Sequence, residues 1–170
     1  MQSEKIVIYT DGAARGNPGK AGWAAVILFQ NYGGQGRVFE IGGRVAHATN
    51  NQMELTACIK ALEHIKKDNS TRQDLVESNI EIFCDSQYVI LGITEWIQNW
   101  IKKNWKNAAK KPVINRELWE ELYKLDQEIK PKWTYVEGHN NNKWNDRADE
   151  IATSFADGFP VKLEKIHHAG

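Results

Sequence analysis

Three runs of β-branched and aromatic residues crowd the chain between Lys5 and Val45: "KIVIYT", "GWAAVILF" and "RVFEIGGRV", with no room for a helix between them. They are expected as strands over 5–10, 22–29 and 37–45. Successive strands with short links form an antiparallel meander, because parallel neighbours need a longer crossover that usually carries a helix.

From Thr49 the texture changes. Leu55, Cys58, Ile59, Leu62 and Ile65 recur on one helix face, and Thr49 with Gln52 three residues on reads as a capping box. The polar stretch "KKDNSTRQDLVESN" reads as a loop and "IEIFC" as a short buried strand. "SQYVILG" is expected as a short helix stopped by Gly92, and in "ITEWIQNWIKKNW" the residues Trp96, Ile97, Trp100 and Ile101 share a helix face. A Lys-rich loop over 105–113 leads to a helix from Asn115 to about Lys130. There Leu118, Trp119, Leu122, Leu125 and Ile129 point inward and Pro131 is the stop. "KWTYVE" is the last expected strand, "GHNNNKW" a polar loop, and Ala148, Ile151, Ala152 and Phe155 mark a final helix. The order predicts one α/β domain with a mixed sheet, antiparallel first and parallel where helices intervene. The domain is expected over 1–156, with an irregular tail over 157–170.

The 170 residues, 41% hydrophobic and 26% charged, suffice for one ordinary core. Formal net charge is zero, so a polyanionic partner must be met by a local patch. The two cysteines, Cys58 and Cys84, fit neither a metal knuckle nor a disulfide framework, which points to a reduced, cytoplasmic setting. No apolar run approaches the length of a membrane span. Four of the seven tryptophans, Trp96, Trp100, Trp105 and Trp119, fall in one short region.

Acidic residues mark element boundaries: Asp11 closes the first strand, Asp85 closes "IEIFC", Glu54 lies early in the first helix and Asp149 lies in the last. Singly, each reads as a cap or as a partner of a helix dipole. Jointly, if strands 1 and 4 are parallel neighbours, Asp11 and Asp85 emerge side by side, and converging carboxylates repel unless they share protons or bind cations. Hard oxygen donors without thiolate or paired imidazole point to magnesium, with manganese possible. Four such groups are the equipment for two ions roughly 4 Å apart in phosphoryl transfer.

The motifs "TDGAARGNPG", "TNNQMEL", "CDSQYV", "GITEWIQNW", "KKPVINRELW" and "GHNNNKWNDRADEIA" follow one another between Thr10 and Ala152. In these the sequence resembles ribonuclease H of type 1, the family that cuts the RNA strand of RNA/DNA hybrids. The resemblance implies a three-layer fold with a five-stranded mixed sheet, three antiparallel strands then two parallel, flanked by helices. It implies that Asp11, Glu54, Asp85 and Asp149 hold the metal and that His139, on a mobile loop, assists proton transfer or product release. Imidazole suits a proton carrier near neutral pH. His139, Asn145 and Asp149 satisfy the family's spacing, and Asp146 is read as outer or structural. "NNN" over 140–142 stands where the family often has a second His or a Gly.

On the substrate side the resemblance makes Trp96, Trp100, Lys102, Lys103, Trp105 and Lys106 part of a basic protrusion gripping the DNA strand. Trp96 and Trp100 are expected to pack inward while the lysines stand outside. Thr49 and Asn115 match a DNA-phosphate pocket, though each also suits an N-cap, and His47 stands where some relatives carry Arg. Asn17, Asn50, Asn51 and Gln87 would reach the minor groove, where 2′-hydroxyls distinguish RNA from DNA. Gly12 and Gly16 would let the backbone approach the RNA strand. The expectation is a monomeric, stand-alone hydrolase leaving 5′-phosphate and 3′-hydroxyl ends. The alternatives are a related DNA endonuclease, of integrase or junction-resolving type, and a non-catalytic hybrid-binding module.

Overall fold

The computed structural model describes residues 5–30, 36–68 and 79–169. Strands β1 (Lys5–Arg15), β2 (Gly19–Gln30) and β3 (Gly36–Ala48) form the expected meander. Helix α1 (Asn50–Lys67) then crosses to β4 (Asn79–Cys84), which pairs parallel with β1. Next come α2 (Gln87–Leu91), a π-helical turn (Gly92–Trp96), α3 (Ile97–Lys102) and α4 (Arg116–Ile129). Strand β5 (Lys132–Tyr135) pairs parallel with β4, and α5 (Lys143–Ala156) and β6 (Lys165–Ala169) follow. The sheet order is β5-β4-β1-β2-β3-β6.

Side chains alternate across a strand, so one strand can serve two cores. Ile6 and Ile8 of β1 join Ile27, Leu55, Leu62, Trp119 and Leu122 in the cluster under α1 and α4. Val7 and Tyr9 join Val26, Leu28, Ile151 and Ala152 under α5. The layers are therefore helices, sheet and helix, and the unbroken run "IVIY" reflects burial on both faces. Thr49 caps α1 through both halves of the capping box: its hydroxyl accepts from Gln52 N at 3.1 Å, and its own N–H donates to Gln52 Oε1 at 3.0 Å.

The structure revises four expectations. Gly92 does not stop a helix. A Cβ there would lie 2.0 Å from the Trp119 ring, so this glycine makes room for a core indole while the chain stays helical from Gln87 to Lys102. Ile97 is buried, but Trp96 and Ile101 are exposed, because the π turn rotates the helix face read from regular spacing. Asn115 makes no N-cap hydrogen bond; its backbone is left-handed, φ 63°, and its side chain is engaged elsewhere.

The tail is the fourth revision. It adds β6, antiparallel to β3. Glu40 of β3, 1% exposed, accepts from Glu164 N at 2.8 Å and from the Arg147 guanidinium at 2.8 and 2.9 Å, while Arg147 also donates to the Lys162 carbonyl at 2.9 Å. These bonds tie β3, α5 and the tail around one buried carboxylate. Most of the polar stretch "KKDNSTRQDLVESN" lies outside the described residues, as does the centre of the segment "QNYGGQGR" between β2 and β3.

Candidate active site

The parallel pairing of β1 with β4 ends at Thr10 and Cys84, whereas β1 stays paired with β2 as far as Arg15 and Lys20. Asp11 and Asp85 are the residues that follow the last parallel pair, so both carboxylates open into the notch between the strands. Glu54 reaches the same notch because α1 lies almost against β1. A Cβ on Gly12 would sit 2.5 Å from Glu54 N and from the Met53 carbonyl carbon, a closeness that only glycine permits. Asp11, Glu54 and Asp85 each bring one carboxylate oxygen within 4.8 Å of the others. Asp149, on α5, stands outside that triad but is close enough for its charge to act on both Asp11 and Asp85.

Burial sets the electrostatics. It pushes the Asp11 carboxyl up to about 8, and the charges of Asp85 and Asp149 push the same way, against a hydrogen bond with Glu54. Glu54 is raised well above the carboxylate range by burial and then by Asp11. Asp85 is raised by burial and by Asp149, while the Asn145 amide and His139 hold it down. Among the described residues no lysine or arginine pairs with Asp11, Glu54 or Asp85. The close donors are all oxygen, and the cluster is short of positive charge. That is the chemistry of a hard-cation site.

Around it, Gly12 N donates to Asp11 Oδ1 at 2.8 Å. His139 is exposed on a left-handed residue, φ 58°, in the loop before α5. That loop ends in Asn142, whose Oδ1 caps α5 by accepting from Trp144 N and Asn145 N at 3.1 and 3.2 Å. Asn142 thus has a structural task that the run of asparagines hid. Asn145 is buried, and its Oδ1 has no partner among the described residues. Asp146 is exposed and takes no part in the carboxylate cluster.

A second face adjoins the carboxylates. Asn17 Oδ1 accepts from Asn50 N at 3.1 Å, tying the β1–β2 turn, with Gly16 at φ 93°, to the start of α1. Asn50, Asn51 and Gln87 are exposed. Thr49 and Asn115 are brought together by Gln52, whose Nε2 donates to Asn115 Oδ1 at 3.2 Å. Trp100 is the hub of the aromatic cluster, 6.0 Å from Trp96, 6.2 Å from Trp105 and 5.3 Å from Trp119. Trp96, Trp100, Lys103 and Lys106 line a pocket of about 200 Å³. Lys102, Lys103 and Lys106 are exposed, as expected, and His47 is also exposed.

Residues 3–157 match the family model described as RNase H. The chain belongs to the ribonuclease H family. A ribonuclease H from Thermosynechococcus vestitus is 45% identical over 159 residues, covering 94% of this chain and 93% of that one. One from Ruthia magnifica subsp. Calyptogena magnifica is 47% identical over 148 residues, 87% of this chain and 92% of that one. Among solved structures, LC9-RNase H1 superposes with a TM-score of 0.81 at 21% identity over 100% of this chain and 80% of its own, a likeness of fold. LC11-RNase H1 in complex with RNA/DNA hybrid gives 0.65 at 27% identity over 90% of this chain and 97% of its own.

For a ribonuclease H family member, the residues that sequence reasoning passed over are Gln52 and Tyr88. Gln52 was visible as half of a capping box. Nothing local signals Tyr88, whose contacts come from 27 and 31 positions away.

Proposed function

We propose that the chain hydrolyses the RNA strand of RNA/DNA hybrids as an endonuclease, leaving 5′-phosphate and 3′-hydroxyl ends. One observation carries the reading: Asp11, Glu54 and Asp85 converge on one point, with Asp149 in electrostatic range. The similar LC11-RNase H1 binds RNA/DNA hybrid, which supports the substrate. Asp11, Glu54, Asp85 and Asp149 would hold two magnesium ions, with manganese as the alternative, which would supply Lewis acidity at the attacking water and the departing 3′ oxygen.

The chain's own groups do the rest. Gly12 N–H fixes the Asp11 carboxylate, the Asn145 amide orients Asp85, and His139 carries protons between the site and solvent. The RNA strand runs along the backbone from Gly12 to Gly16, and Asn17, Asn50, Asn51 and Gln87 read 2′-hydroxyls in the shallow groove. Thr49 and Asn115 hold a DNA phosphate. Trp96, Trp100, Lys102, Lys103, Trp105 and Lys106 grip the DNA strand through contacts that carry no sequence information. Residues 1–156 are the catalytic unit in this reading, and the enzyme acts as a monomer. Asp11→Asn tests it: cleavage of a hybrid collapses while binding persists, and full retained activity refutes the assignment. Duplex DNA and duplex RNA, assayed alongside, resist cleavage.

A further inference from the structure

A continuous chain of hydrogen bonds joins the start of α1 to the tryptophan cluster. Thr49 N donates to Gln52 Oε1 at 3.0 Å, Gln52 Nε2 to Asn115 Oδ1 at 3.2 Å, and Asn115 Nδ2 to the Tyr88 oxygen at 3.2 Å. From the other end, Trp119 Nε1 donates to the same oxygen at 2.9 Å. Both termini are N–H groups that can only donate, so the polarity of every link is forced. Gln52 must turn its oxygen to Thr49 and its nitrogen to Asn115. Asn115 must therefore turn its own nitrogen to Tyr88.

The Tyr88 oxygen accepts twice, and its own proton points to neither donor. Among the described residues nothing accepts that proton. Thr49 is in the same position, because its hydroxyl oxygen accepts from Gln52 N at 3.1 Å. Asn115 has a second amide hydrogen beyond the one given to Tyr88. Three donors are thus left uncommitted around one asparagine, and no carboxylate bonds to any of them.

We propose that Tyr88 is a substrate-binding residue, its hydroxyl proton donated to the DNA-strand phosphate held by Thr49 and Asn115. The inference rests on the phosphate pocket of the proposed function and adds a donor to it. It also makes Gln52 a positioning residue, since Gln52 dictates which face of the Asn115 amide meets Tyr88. Through the Trp119 bond, Tyr88 links the phosphate pocket to the aromatic grip on the same strand.

The test walks a single uncharged methylphosphonate linkage along the DNA strand of a hybrid and measures KM and kcat. The wild-type enzyme is expected to lose about tenfold in KM at one linkage, with kcat retained. Two variants are compared. Tyr88→Phe removes the hydroxyl, and Tyr88→O-methyltyrosine, introduced by codon suppression, keeps the accepting oxygen for Trp119 and Asn115 but has no proton. Both are expected to raise KM for the unmodified hybrid several-fold and to show a reduced penalty of about threefold at the sensitive linkage, because Thr49 and Asn115 still meet the phosphate there. If either folded variant keeps the full tenfold penalty there, Tyr88 is only structural and the inference falls while the phosphate pocket stands. If no linkage affects the wild-type enzyme, the pocket and the inference fall together.

Discussion

Neutralising Asp11 should stabilise the metal-free protein. The carboxyl is pushed from 3.8 to about 8, mainly by burial, so the folded state prefers it protonated. For an acid raised in this way, stability is full below the unfolded value, falls as pH rises from about 4 to about 8, and is level above that. At pH 7 the cost is about 4 kcal/mol, from 1.36 kcal/mol for each of the roughly three units between pH 7 and the unfolded value. Asp11→Asn keeps the shape and removes the charge, so in EDTA it should gain up to that amount, with Glu54 sharing the relief through their coupling. For a chain of this length this corresponds to a rise in Tm of roughly 8–16 °C. At pH 5 the gain should shrink to about 2 kcal/mol. Added magnesium should narrow the gap by stabilising the parent. Thermal unfolding in EDTA across pH 5 to 8 is the assay. A variant no more stable than the parent at pH 7, or a gain that grows as pH falls, would refute the reasoning.

Three other outcomes are expected. Replacing Lys102, Lys103 and Lys106 together with Ala should weaken hybrid binding alike for all sequences and reduce the slope of log K against log salt by about 2–3, read from titrations at several salt concentrations. Glu40→Ala leaves the Arg147 guanidinium, 23% exposed, without its buried partner, and should cost about 3–5 kcal/mol in urea unfolding. Gly92→Ala drives a methyl into the Trp119 ring and should cost about 1–3 kcal/mol, with a shift in tryptophan fluorescence.

What could be read in advance was what short-range periodicity encodes. The β-branched and aromatic runs of β1 to β3 and the capping box at Thr49 act within a few residues, so they announced their elements, and Asp11 and Asp85 came together once strands 1 and 4 were taken as parallel neighbours. Where distant parts of the chain decide, local reading missed. Gly92 has the propensity of a helix stop, yet the incoming Trp119 ring makes it a contact residue within the helix. Asn115 looks like a cap, but its side chain is claimed by Gln52 and Tyr88. The tail looked irregular because its ordering partner, Glu40, lies 124 positions away.

Strand β1 is both the central beam of the sheet and the mount for Asp11. It lies between β4 and β2 with both faces covered, and Asp11 follows its last residue paired with β4. One residue inserted or deleted between Lys5 and Thr10 would exchange the two cores, since every side chain would change face. The distance from the start of β1 to Asp11 therefore cannot be varied gradually, and in this architecture it behaves as a fixed dimension. Beyond Asp11 that restriction eases, because the Gly16 to Pro18 turn is exposed and packs into neither core. Adaptation to new substrates has room at the turn, while the position of the carboxylate is inherited with the fold.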